Sequence, residues 1–290
     1  MYNKPILIAE IGCNHVGDME TAKKFIDIAT NFCDIEHVKF QKRNNKELLS
    51  DEQFNKPHPV PENSYGKSYG DHREFLEFNI EQHKELKEYC ENLDITYSTS
   101  VWDLTSAKEI CSINPKYIKI PSATNTHYEL LSYLCESYQG KIHVSLGMTT
   151  REEELKIINL FQDFNRAQDL ILYACTSGYP VPFNDLCILE VKRLIESYGE
   201  ILHGIGFSGH HNGISADIAA YTLGANFIER HFTLDRTWKG TDHAASLEPD
   251  GLRRLKRDLI HLYESLQYKD KEILDIEIPQ RKKLKWNSNR

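Results

Sequence analysis

The sequence predicts a single-domain α/β chain folded as a (β/α)8 TIM barrel. Three observations lead there. Short apolar runs alternate with amphipathic helical stretches about eight times along the chain. The length, 290 residues, suits one barrel of this kind. Each apolar run also turns polar at its C-terminal end, the face on which such barrels carry their chemistry. The barrel is expected over residues 1–270, with residues 271–290 as a basic tail.

The elements follow in order. Residues 4–12 form a buried strand that ends on a carboxylate, Glu10. Asp18 caps a helix whose apolar stripe is Ala22, Phe25, Ile26 and Ala29. Val38-Lys39-Phe40-Gln41 is the second strand, with Lys39 and Gln41 on one face. Residues 43–79, with prolines at 57, 59 and 61, read as one long irregular segment, functional or mobile. Strands are then expected at 95–100, 117–121, 142–146, 170–176, 206–210 and 228–232. Helices are expected at 81–91, 106–113, 127–137, 152–164, 186–198, 214–223 and 249–266. Arg281-Lys282-Lys283-Leu284-Lys285 reads as a solvated end.

Composition narrows the function. The 40% hydrophobic content is enough for a sizeable core. A formal charge of −8 argues against nucleic acid and anionic membranes as partners. No apolar run approaches membrane-spanning length, and no signal-peptide pattern follows Met1. Seven dispersed cysteines without a Cys-x-x-Cys pair fit reduced thiols, so a cytoplasmic location is expected.

The strand ends carry Glu10; Lys39 and Gln41; Ser98 and Thr99; Lys119 and Ser122; Ser145; Thr176 and Ser177; Ser208 and His210; and His231. Singly, each has a bland reading: a late lysine is often a solvated end, a serine a turn residue, a histidine a hydrogen-bonded barrel residue. Glu10 is harder to dismiss, because a carboxylate within Ile-Leu-Ile-Ala-Glu-Ile needs a cation or another partner. The weight lies in the coincidence. Two lysines and several hydroxyls at one mouth suit a small phosphorylated anion. His210 and His231, on neighbouring strands, can share one divalent metal, with His211 as bystander. Gly147, after Ser145, allows a close backbone approach.

These residues sit in blocks that resemble the barrel domain of the sialic acid synthases, the family that makes N-acetylneuraminic, legionaminic and pseudaminic acids. The blocks include Ile8-Ala9-Glu10-Ile11-Gly12, Val38-Lys39-Phe40-Gln41, Ile118-Lys119-Ile120-Pro121-Ser122, Cys175-Thr176-Ser177-Gly178-Tyr179-Pro180, Gly206-Phe207-Ser208-Gly209-His210 and Ile228-Glu229-Arg230-His231-Phe232, running through Gly240-Thr241-Asp242-His243. They follow family order over nearly the whole chain.

The resemblance implies a metal-dependent condensation of phosphoenolpyruvate with the open-chain aldehyde of an acetamido hexose, N-acetylmannosamine or a relative. It implies that His210 and His231 hold Mn²⁺, with Mg²⁺ or Co²⁺ as alternatives. Lys39, Thr99, Lys119, Ser122, Ser145, Ser177 and Ser208 would grip phosphoenolpyruvate. Glu10 and Gln41 would face the reacting centre, and Tyr179 and Asp242 the sugar. The chain departs from the family at Thr124, where an acidic residue is usual, and at Gly209, where Asp is usual. Ser145-Leu146-Gly147 and Gly240-Thr241-Asp242 stand for the common Ser-Thr-Gly and Gly-Pro-Asp. The family's C-terminal antifreeze-like (SAF) domain would begin near Arg290, so a barrel without it is expected. The family's dimer uses that domain in part, so a homodimer is an expectation from the family alone. Two alternatives accompany this reading: a synthase using a neutral or phosphorylated aldose, and a decayed barrel that binds these ligands without turnover.

Overall fold

Eight parallel strands close on themselves in chain order: β1 (Ile6–Gly12), β2 (His37–Lys42), β3 (Thr96–Val101), β4 (Tyr117–Ile120), β5 (Lys141–Ser145), β6 (Leu170–Cys175), β7 (Gly204–Gly209) and β8 (Phe227–His231). β8 returns to β1 with Ile8 opposite Glu229 and Glu10 opposite His231. This is the expected (β/α)8 barrel. The structure, a computed structural model, describes residues 2–286.

Between the strands run α1 (Met19–Asn31), α2 (Asn45–Leu48), α3 (Asp51–Asn55), α4 (Tyr69–Leu76), α5 (Ile80–Asn92), α6 (Leu104–Ile113), α7 (Tyr128–Ser137), α8 (Arg151–Asp163), α9 (Leu189–Tyr198) and α10 (Ser215–Thr222); α11 (Pro249–Ser265) and α12 (Glu277–Leu284) follow β8. The Asp18 carboxylate accepts the Thr21 N–H at 2.7 Å and starts α1.

Alternation along each strand divides the core in two. One set, including Leu7, Ala9, Val38, Phe40, Ile118, Ile142, Val144, Leu172, Phe207 and Ile228, packs against the helices in the main apolar layer. The other set forms a small apolar floor inside the barrel: Ile8, Tyr117, Ile171, Tyr173 and Phe227. His143 stacks on Tyr117 at 4.2 Å between ring centres, and its Nδ1 lies 2.8 Å from the Tyr173 hydroxyl. Burial and then Lys119 push the His143 imidazole well below its ordinary range, so the floor carries no charge at this residue.

One expectation needs correction. Residues 43–79 are not one irregular loop; they fold into α2, α3, a 3-10 turn and α4. Capping boxes at Ser50/Gln53 and Ser68/Asp71 start α3 and α4, because each side chain satisfies an N–H that the first turn leaves free. The basic tail expected over residues 271–290 contains one helix. This helix, α12, buries none of its residues; residues 287–290 lie outside the described residues.

His211 points away from His210, as alternation requires, but it is fully buried. It joins Arg230 and Asp217 between barrel and helix. Arg230 donates to Asp217 at 2.5 Å, to the His211 carbonyl at 2.6 Å and to the Gly213 carbonyl at 2.8 Å. Breaking such a buried pair strands its partner's charge. Asp217→Ala is therefore expected to lower unfolding stability by about 3–5 kcal/mol, read as a reduced urea midpoint; an unchanged midpoint would show that this knot contributes nothing.

Candidate active site

A cavity of about 510 Å³ opens at the C-terminal mouth of the barrel. It falls within the size range of small-molecule sites. Glu10, Lys39, Gln41, Lys119, Ser122, Ser145, Ser177, Tyr179, Ser208, His210, His231 and Asp242 all line it. Residues separated by more than 200 positions meet here because parallel strands put all their C-terminal ends on one face.

Thr99 is the exception. It is fully buried and does not line the cavity. Ser98 and Ser100 occupy the inward face of β3, so the period of two sends Thr99 to the other side. Ser100 reaches the cavity in its place and accepts a hydrogen bond from Lys39 Nζ at 2.8 Å.

The base of the site is an ionic cluster. Lys39 forms a salt bridge with Glu10 and lies 3.8 Å from Glu229. Lys119 Nζ donates to Glu229 at 2.9 Å and sits 3.6 Å above the centre of the Tyr173 ring. Both lysines and both glutamates are buried. The pocket was expected to be basic, but its two deep lysines are balanced by two carboxylates. Burial alone would raise the Glu229 carboxyl, but Lys119 and Lys39 outweigh it and hold it at about 2. Burial pushes the Lys39 ammonium below its ordinary range, against the pull of Glu229.

Glu229 was not among the expected site residues. The signal was present: Phe227, Glu229 and His231 alternate on one face of β8, so an inward His231 requires an inward Glu229.

The hydroxyls gather around Gly147. Its N–H donates to Ser122 Oγ at 3.0 Å. A Cβ there would lie 2.3 Å from Ser177 Oγ and 2.7 Å from Ser122 Oγ, so glycine alone lets the two hydroxyls meet.

The two histidines face each other with ring centres 5.3 Å apart. His210 Nδ1 lies 3.1 Å from the Thr176 carbonyl oxygen, which can only accept, so Nδ1 carries the proton and Nε2 keeps its lone pair. His231 Nδ1 is buried with no partner. Burial, then His231, pushes His210 down to about 3, and both rings are neutral. Two neutral imidazoles with uncommitted nitrogens fit a divalent cation that takes its remaining positions from water or substrate. Among the described residues no group of three potential ligands is gathered, so the chain would supply these two. Tyr179, half-exposed, covers His210 at 4.4 Å between ring centres.

The departures have local reasons. A side chain at Gly209 would run into Phe207 and His211, each within 2.9 Å of its Cβ, so the ring packing leaves no room for an aspartate. Thr124 places a buried hydroxyl with no hydrogen-bond partner beside the site's Ser122–Thr124 turn.

The outer wall comes from the 43–79 segment, whose individual lining residues sequence reading did not name. Residues of the 43–79 segment, among them Arg43, His58, Tyr69, His72 and Arg73, line the cavity with Trp102. Arg43 pairs with Glu77.

Replacing Glu229 by Gln would leave two buried ammonium groups with one carboxylate. Glu229→Gln is expected to lose about 3–5 kcal/mol of stability. Millimolar inorganic phosphate should raise its melting temperature more than that of the unaltered protein, because an anion restores the balance. Equal melting curves with and without phosphate would contradict this.

Comparison with known proteins agrees with the barrel and the strand-end blocks. Residues 25–271 match the NeuB family. The chain is 32% identical to human N-acetylneuraminate-9-phosphate synthase over 96% of its own length and 76% of that protein's. It is 34% identical to the N,N'-diacetyllegionaminic acid synthase of Campylobacter jejuni over 87% of this chain and 74% of that one. A crystal structure of an N-acetylneuraminic acid synthetase from Leptospira borgpetersenii, in complex with citrate, superposes with a TM-score of 0.80 at 26% identity, covering 98% of this chain and 94% of that one. With the family matched over most of its length and these relatives spanning it nearly end to end, the chain belongs to the NeuB family.

Proposed function

We propose that the chain condenses phosphoenolpyruvate with the open-chain aldehyde of an acetamido hexose, N-acetylmannosamine or a related sugar, to give a nonulosonic acid and inorganic phosphate. The observation that carries this is the pairing, in one cavity, of two buried lysines and a hydroxyl cluster with two facing imidazoles. The family membership and the names of the relatives support it.

In this reading Lys39 and Lys119 attract the anion, and Ser100, Ser122, Ser145, Ser177 and Ser208 supply hydroxyls to its oxygens. Glu229 fixes both ammonium groups before the anion arrives: it accepts from Lys119 and, at Lys39, works against the effect of burial. C3 of phosphoenolpyruvate attacks the aldehyde carbon, water adds at C2, and the C–O bond to phosphate breaks. Glu10, next to Lys39, is placed to take the proton of the attacking water or to orient the new hydroxyl, with Gln41 beside it. Tyr179 and Asp242 lie where the sugar would pass. Mn²⁺ held by His210 and His231, with Mg²⁺ or Co²⁺ as alternatives, would supply Lewis acidity for the aldehyde oxygen. The seven cysteines are free, and no described helix is long and apolar enough to cross a membrane; we read a cytoplasmic enzyme from the reduced thiols.

Protein supplied with Mn²⁺, phosphoenolpyruvate and a panel of acetamido hexoses should release phosphate only when both substrates are present, and mass spectrometry should find the nine-carbon acid. Lys119→Met should lower kcat/KM for phosphoenolpyruvate by about 10- to 100-fold, the weight of one charged hydrogen bond. His231→Ala should weaken Mn²⁺ binding, read by calorimetry. Thr124, standing without a carboxylate, favours a second reading, a barrel that binds without turnover; phosphoenolpyruvate binding with no phosphate release on any sugar would establish it.

A further inference from the structure

Arg73 is a buried cation with no counter-ion among the described residues. It sits on α4, is 8% exposed and lines the cavity. Its guanidinium carbon lies 5.3 Å from the centre of the Tyr69 ring and 5.7 Å from that of Trp102. These rings fix the plane of the guanidinium through cation–π attraction but accept none of its N–H groups in ordinary hydrogen bonds. Its Nε is buried without a partner.

Among the described residues, no carboxylate lies within ion-pair distance of Arg73. The neighbouring Arg43 is neutralised by Glu77, and the deep lysines by Glu10 and Glu229. Asp242, the remaining carboxylate of the lining, makes no ion pair with Arg73. A guanidinium removed from water without an anion is costly, and the cavity it lines is where an anion would come from.

His72, one residue away, adds a donor. Its Nδ1 accepts the Tyr65 N–H at 3.1 Å, so its proton sits on Nε2. Burial, then His58, pushes it down to about 4, so the ring is a neutral donor. The segment that carries both residues is pinned in place: Tyr65 stacks on Phe75 at 5.0 Å and 3°, and its hydroxyl donates to the Lys239 carbonyl.

We propose that Arg73 and His72 form a subsite for a phosphate monoester on the sugar, at the end remote from its aldehyde, so that the preferred substrate is a phosphorylated acetamido hexose. This rests on the condensation proposed above. The groups that would act on the aldehyde, Glu10, His210 and His231, lie in β1, just after β7 and in β8, whereas Arg73 comes from α4, in the segment that follows β2 and lines the outer wall of the cavity. A hexose held at the strand ends by its C1 reaches outward with C6. A sugar hydroxyl would leave the guanidinium unbalanced. A carboxylate would occupy the guanidinium fork and leave the imidazole N–H idle. A phosphate has oxygens for both.

The test is binding calorimetry with N-acetylmannosamine 6-phosphate and N-acetylmannosamine, on the unaltered protein and on Arg73→Met and Arg73→Lys. The phosphorylated sugar should bind at least about tenfold tighter. Arg73→Met should remove most of that advantage, and Arg73→Lys should keep part of it, because lysine retains the charge without the fork. Phosphoenolpyruvate affinity should be the same in all three proteins. Equal affinity of the unaltered protein for the two sugars, or an Arg73→Met loss shared equally by both, overturns the subsite. If Arg73→Met fails to bind phosphoenolpyruvate it is misfolded, and Arg73→Lys decides by the same two outcomes. A parallel phosphate-release assay separates the two proposals. Absent turnover with either sugar refutes the condensation, while the binding comparison still judges the subsite.

Discussion

The site depends on four charges placed inside a barrel that could have been wholly apolar. Glu10, Lys39, Lys119 and Glu229 come from β1, β2, β4 and β8 and meet above an apolar floor. None is tolerable alone, because a buried ion without its partner costs several kcal/mol. Together each lies beside an opposite charge brought across the barrel. Such a cluster adds little net stability over a packed apolar core. Its consequence is positional: two ammonium groups stay fixed at the bottom of a cavity with donors still free. The Tyr173 ring under Lys119 and the neutral His143 beside it complete the floor without adding charge.

Around that cluster the strand ends divide the work by chemistry. β4, β5 and β6 lead into the hydroxyl group about Gly147, where a missing Cβ lets Ser122 and Ser177 converge. The residue after β7 and the last residue of β8 carry the imidazoles. The Thr176 carbonyl, from the turn after β6, decides the tautomer of His210, so a backbone group leaves a ring nitrogen ready for a cation. The outward faces of the same strands carry a separate ionic knot, Arg230 with Asp217 and His211. One strand can thus hold a site residue and a structural ion in adjacent positions, because alternation sends them to opposite sides.

Residues 43–79 add what the barrel proper lacks. Every lysine at the strand ends already has a carboxylate, so the surplus positive charge of the outer wall comes from α4. Short helices with capping boxes make that wall an ordered surface, and the Tyr65–Phe75 stack holds it over the mouth.

The sequence by itself determined the eightfold alternation, the strand faces and the strand-end residues that line the floor and mouth of the cavity, because side-chain period and strand-end position are local properties of the chain. Glu229 and Ser100 were legible by the same rule of two, and the capping boxes at Ser50 and Ser68 were readable despite the prolines between them. Only the tertiary structure decided which charges balance which. Lys39 finds Glu10, Lys119 finds Glu229 and Arg43 finds Glu77, while Arg73 finds only aromatic rings. Those pairings depend on distances across a closed barrel between residues as far apart as Lys119 and Glu229, and Coulomb energy and desolvation are set by that spacing, which no local pattern encodes.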